Sequence, residues 1–88
     1  MDKRNKINRI YKILPMKEAL DRNEITNEDF ESYITKQFIQ FSGSNIDENI
    51  KTEITETLKG IKKLNTSLTV KDIRSSILRL TNLIDRSE

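Results

Sequence analysis

Apolar residues recur along most of this chain at three- and four-residue intervals, the spacing that lines one face of an α-helix. The clearest stretch spans residues 25–41, where Phe30, Tyr33, Ile34, Phe38 and Phe41 share a stripe. It opens with Thr26 and, three positions on, Asp29, the arrangement of a helix start. Ile25 and Phe30 stand where a hydrophobic staple would pack. Four of the chain's five aromatic residues fall here, which makes this the expected central helix.

The same periodicity continues on both sides. Over residues 4–14, Ile7, Ile10, Tyr11 and Leu14 form a stripe with Ile13 beside it. Pro15 has no N–H and clashes with the preceding turn, so a kink or restart is predicted there, with a short helical piece over 16–21. Ser42, Gly43 and Ser44 end the central helix, and Gly43 is free to take the left-handed capping conformation. Ser44 or Asn45 is expected to cap the next helix, striped by Ile46, Ile50, Ile54, Leu58, Ile61 and Leu64. Gly60 inside it either allows close helix approach or weakens the last turn. A final helix begins at Thr69 with Val70, Ile73, Ile77, Leu80 and Ile84, leaving Leu78 and Leu83 off its centre.

No segment alternates cleanly over a strand's length. The expectation is an all-α fold: one domain over 1–88, a small bundle or orthogonal array of four main helices, the first kinked or broken at Pro15. The run from Ile25 through Thr26, Asp29 and Ser32 to Ile34 is echoed by Leu68, Thr69, Asp72, Ser75 and Ile77. A duplicated helical hairpin would produce such an echo, but the flanking residues do not match at the same offset, and repeated capping chemistry explains it more simply. That explanation assigns Thr26, Asp29, Thr69 and Asp72 to helix initiation rather than to catalysis.

Composition narrows the functional classes. Eighty-eight residues with 34% hydrophobic content give one modest core, so a partner or a second copy that completes it is expected. Histidine, cysteine and tryptophan are absent. That removes the usual general base near neutral pH, the thiol nucleophile and the soft metal ligands. The expectation is a non-enzymatic protein with no cofactor, no metal and no small-molecule substrate. Carboxylates at Glu28, Asp29 and Glu31, at Asp47 and Glu48, and at Glu53 and Glu56 follow no calcium-loop pattern; helix dipoles account for those in first turns. No apolar run is long enough to span a membrane, and a cytoplasmic location is expected.

The net charge of +2 conceals a division into three. Residues 1–22 carry seven basic and three acidic groups, 23–58 two basic and eight acidic, and 59–88 seven basic and three acidic. Such segments either neutralise one another on packing or steer charged partners. Three surfaces follow. Lys3, Arg4, Lys6, Arg9 and Lys12, with Lys17 beyond, have the composition of a membrane-surface or nucleic-acid-contacting helix, or of a plain solvated face. Lys59, Lys62, Lys63, Lys71, Arg74 and Arg79 would suit a helix-turn-helix over 57–82. Ile39 and Leu78, off their stripes, together with the outward Glu28 and Glu31, mark a protein-contact surface.

The leading expectation is an adaptor or regulator that acts by protein–protein binding, as a monomer or a homodimer. A nucleic-acid-binding regulator using segments 3–17 and 59–79 comes second, and a peripheral membrane-associated or immunity-type protein third. In size and in Lys, Asn and Ile usage the chain is similar to small basic helical bundles of phages and plasmids, and to some bacteriocin immunity proteins. That likeness is compositional and transfers no residue's role.

Overall fold

The computed structural model describes residues 3–86 as helices joined by short connections. They are α1 (Lys3–Tyr11), α2 (Ile13–Asp21), α3 (Asn27–Ser42), α4 (Glu48–Lys63) and α5 (Val70–Arg86). α1 and α2 are two halves of one interrupted arm, so the protein is a small all-α bundle of four helices. α3 packs on α2 and α4, and α5 closes the bundle against α1, α2 and α4. Contacts between chain-distant residues set neighbours antiparallel. Lys3 at the start of α1 pairs with Asp85 near the end of α5 at 3.3 Å. Lys17, late in α2, reaches Asn65 ahead of α5 at 2.6 Å. The molecule measures 37 × 21 × 20 Å, as expected for arms of about 24 Å with their connections.

The first arm breaks one turn ahead of Pro15, at Lys12. Proline's missing N–H would have bonded the carbonyl four residues back, Tyr11, and its ring clashes there, so the interruption falls at Tyr11 and Lys12. Pro15 itself sits in the first turn of α2, where a helix has no use for that N–H. Tyr33 of α3 donates its hydroxyl to the carbonyl of Arg9 in the last turn of α1 at 2.7 Å. The buried face of this arm differs from the predicted stripe by about one residue. Lys6, Ile10, Ile13 and Lys17 point inward, whereas Tyr11 is exposed.

Helix ends follow sidechain chemistry in detail. Thr26 and Asp29 exchange backbone and side-chain bonds at 3.1 Å each, and Thr69 and Asp72 do the same at 3.0 and 3.2 Å. Both are capping boxes, as read from the sequence. α4 differs: Asp47 is its cap, accepting from the backbone N–H of Asn49 and Ile50, and Ser44 and Asn45 lie outside the helix. Gly43 stays at φ −92°, so it ends α3 without the left-handed turn expected of it. Among the described residues the left-handed one is Asn23, at φ 61°. Its N–H bonds Leu20 and that of Glu24 bonds Ala19, a Schellman closure of α2. A Cβ at Gly60 would meet nothing within 4 Å, so this glycine does not serve close helix approach.

The core joins Ile10 and Ile13 with Phe30, Ile34 and Phe41, Ile54, Leu58 and Ile61, and Ile73, Ile77, Leu80 and Ile84. Each such side chain, fully buried, contributes about 1.5–3 kcal/mol. Phe38, expected among them, is only partly buried, and Gln37 takes the inward position on α3 instead. Gln37 is 1% exposed, and its Oε1 has no hydrogen-bond partner among the described residues.

Candidate functional site

The polar positions that sequence left open fall on several different faces. Lys6, assigned to a solvated basic face, is 5% exposed and lines the inner side of a cleft between α1 and the end of α3. Lys17 is 3% exposed and bonded to both Asn65 and Asp21, the latter at 2.9 Å. Both depart from a surface assignment because the buried face of this arm passes through them. Of the remaining N-terminal cations, Lys3 pairs with Asp85, and Lys12 lies 5.8 Å from the centre of the Tyr33 ring. Arg4 and Lys12 are exposed and Arg9 is half-buried. The apolar residues of α1 and α2 pack into or against the core rather than forming a free amphipathic face, apart from Tyr11. Among the described residues no helix is long and apolar enough to cross a membrane.

α4 and α5 are joined by a short connection and pack against each other. Arg79 donates to Thr57 Oγ1 at 2.9 Å, and Gly60 and Ile61 share a cleft with Ser76. Glu53 and Glu56 line the same cleft as Arg79, a poor setting for a side chain meant to read nucleic acid. Lys63, Lys71 and Arg74 are exposed.

The protein-contact residues separate into two groups. Ile39 is 63% exposed and Leu78 46%, so both are surface residues. They do not meet in one cleft. Leu78 lies on α5 and lines neither the α3–α4 groove nor the α4–α5 cleft, whereas Ile39 borders the α3–α4 groove.

That groove brings together residues from both the apolar and the basic sets. Its lining is Ile34, Thr35, Phe38, Ile39, Leu58, Lys59 and Lys62, around a cavity of about 310 Å³. α3 supplies Ile34, Phe38 and Ile39 because its apolar residues extend past the inward face formed by Phe30, Ile34, Gln37 and Phe41. α4 supplies Leu58 as part of the floor and Lys59 and Lys62 as a rim. The Lys59 ammonium lies 5.3 Å from the centre of the Phe38 ring, a cation–π contact at the groove's edge. Toward the start of α3, Glu28, Glu31, Ser32 and Thr35 share a shallow cleft with Lys62. Neither Lys59 nor Lys62 forms a salt bridge with a described residue.

Sequence reading missed Phe38 and Thr35 as groove residues, having placed Phe38 in a core stripe; Leu58, beneath the groove, is core as its stripe predicted. The available signal was adjacency. Phe38 and Ile39 are consecutive, and a helix cannot turn both onto one inward face. The groove holds no carboxylate pair, and its polar side-chain groups are two ammoniums and a hydroxyl. Fold and groove together describe a small four-helix bundle with an apolar, lysine-rimmed cleft on one side. Compared with family models, with curated proteins and with solved structures, the chain matches none.

Proposed function

We propose that this protein is a non-enzymatic adaptor or regulator that binds another protein through the groove between α3 and α4. The observation that carries the reading is Ile39: a large aliphatic side chain, 63% exposed, beside a cavity floored by Ile34, Phe38 and Leu58. Leaving such a surface in water forgoes about 25 cal/mol for each Å² of apolar area that a partner could cover. Isolated exposed apolar residues are ordinary; one continuous with an apolar cleft marks an interaction site. A nucleic-acid-binding regulator stands second. Its support is the exposed Lys62, Lys63, Lys71 and Arg74, and it is weakened by the burial of Lys6 and by the acidic neighbours of Arg79.

Affinity capture from the native cell at physiological salt, with recovered proteins and nucleic acid both identified, tests the reading. Light scattering on the purified protein covers a homodimer. Groove binding predicts a stoichiometric protein partner or a stable dimer, insensitive to nuclease. Recovery of nucleic acid alone, or a monomer with no specific protein partner, contradicts it.

A further inference from the structure

The chemistry of the groove also specifies what should occupy it. Resting on the protein-binding reading above, we infer that the α3–α4 groove docks an acidic amphipathic helix of a partner protein. Such a helix would carry bulky apolar residues on one face and carboxylates beside them.

Three features of the groove lead to this occupant. The first is the floor: exposed Ile39 and half-buried Phe38 present aliphatic and aromatic surface above the core residues Ile34 and Leu58, with only the Thr35 hydroxyl among them. At about 310 Å³ the cavity is at the small end of the about 300–1,000 Å³ range of ligand sites. It accommodates protruding side chains rather than a large cofactor.

The second is the rim. Lys59 and Lys62 are three residues apart on α4, so their stems rise from one helical face about 5–6 Å apart at Cβ. Neither is in a salt bridge with a described residue. Lys62 also borders the cleft of Glu28 and Glu31, yet neither carboxylate closes on it within 4 Å. A partner with carboxylates one helical turn apart would meet both ammoniums while its apolar face covers the floor. A basic partner would instead set like charges together along the rim, which opposes its docking.

The third is geometry. Two packed antiparallel helices form a trough that an amphipathic helix fills with anchors at i, i+3 or i+4, and i+7. Among the described residues there is no strand whose edge could pair with an extended peptide. A second copy of this chain is the competing occupant. Its Glu28 and Glu31 already flank Lys62 of their own chain, and its Glu53 and Glu56 line the α4–α5 cleft, which Ile39 does not border. Placing that cleft in the groove of the next copy would join unlike surfaces, a head-to-tail contact that continues into open chains unless its rotation closes.

Peptide-display selection on the immobilised full chain, using a random 16-residue library, reads the preferred chemistry directly (library length about four helical turns). The expected result is enrichment of peptides with apolar residues at helical spacing flanked by Asp or Glu. Amide chemical shifts should then move at Phe38, Ile39, Lys59 and Lys62. The variant Lys59→Glu, Lys62→Glu should bind the selected peptide about tenfold or more weakly, and the salt dependence of binding should flatten. Enrichment of basic or uncharged sequences, or shifts confined to another face, would overturn the acidic-helix assignment and leave protein binding standing. No enrichment over an unfolded control also overturns it. Concentration-dependent light scattering of the free chain that abolishes peptide binding would assign the groove to self-association instead.

Discussion

The hydroxyl of Tyr33 donates to the carbonyl of Arg9 at 2.7 Å, joining α3 to the last turn of α1 just ahead of the break at Lys12. Helix ends leave carbonyls without intrahelical partners, and Tyr33 satisfies one of those at this interruption. Tyr33→Phe keeps the ring and removes only the donor, so it is predicted to cost about 1 kcal/mol in chemical denaturation. Burial pushes the Tyr33 phenol above its ordinary range, with the nearby Arg9 charge opposing the shift. The folded state therefore favours the neutral phenol. That stabilisation is fully present below about pH 10 and is lost as pH rises through the raised folded value. The wild type should lose more stability than Tyr33→Phe above about pH 10. Equal alkaline losses would contradict the burial of the Tyr33 phenol.

Lys17 should matter more than its partner Asp21. Its ammonium is the donor to the Asn65 carbonyl at 2.6 Å, whereas the Asp21 side chain is 49% exposed and can turn to water. Lys17→Met leaves that carbonyl without its donor, at a predicted cost of about 1–3 kcal/mol. Asp21→Asn should cost under about 1 kcal/mol, as for partly solvated ion pairs generally. Comparison of the two midpoints in urea decides it; a reversed order would mean that the ion pair within α2, not the bond to Asn65, carries the contribution of Lys17.

Gln37 is predicted to be a site where an apolar substitution stabilises. Its Oε1 is buried without a partner, a situation that costs about 1–3 kcal/mol, and methionine has nearly the same shape. Gln37→Met should raise the thermal midpoint by a few degrees. A fall would indicate that the amide is hydrogen-bonded in solution.

Thr26 and Thr69 act as caps, and replacing either with alanine is expected to cost about 1 kcal/mol of stability without a selective effect on partner binding. Asp72 adds a pH signature. The Thr69 backbone N–H chiefly, and its hydroxyl next, hold the Asp72 carboxyl below its usual range. A depressed folded pKa contributes stability above the unfolded value of about 3.9, and that contribution disappears as pH falls through the folded one. Asp72→Asn should therefore flatten the acid limb of the stability profile below about pH 4. An unchanged acid limb would contradict the assignment.

The helices, the division of the first arm and both threonine caps were legible because each depends on short-range chemistry. The caps bond within three residues, and Pro15 acts on the turn before it. What escaped notice depends on rotation about a helix axis or on contacts between distant residues. The phase of α1 and α2 decided that Lys6 and Lys17 go inward and Tyr11 outward. Periodicity places that face only to within a residue, and charge argues the other way. Lys17 is reconciled by the Asn65 carbonyl, 48 positions along the chain. The candidate site was half visible: Ile39 and Lys59 were named on separate surfaces. The α3–α4 packing that makes them neighbours has no local signature.

Protein binding through the α3–α4 groove is tested most directly by comparing Ile39→Asp with Leu78→Asp. Both residues are exposed, so each change should shift stability by no more than about 0.5–1 kcal/mol. The two variants and the wild type would be compared in the same affinity capture at physiological salt, with thermal unfolding recorded for each. If the groove is the binding site, Ile39→Asp loses the protein partner while Leu78→Asp retains it. Retention by Ile39→Asp, or loss confined to Leu78→Asp, would place the interaction elsewhere on the bundle.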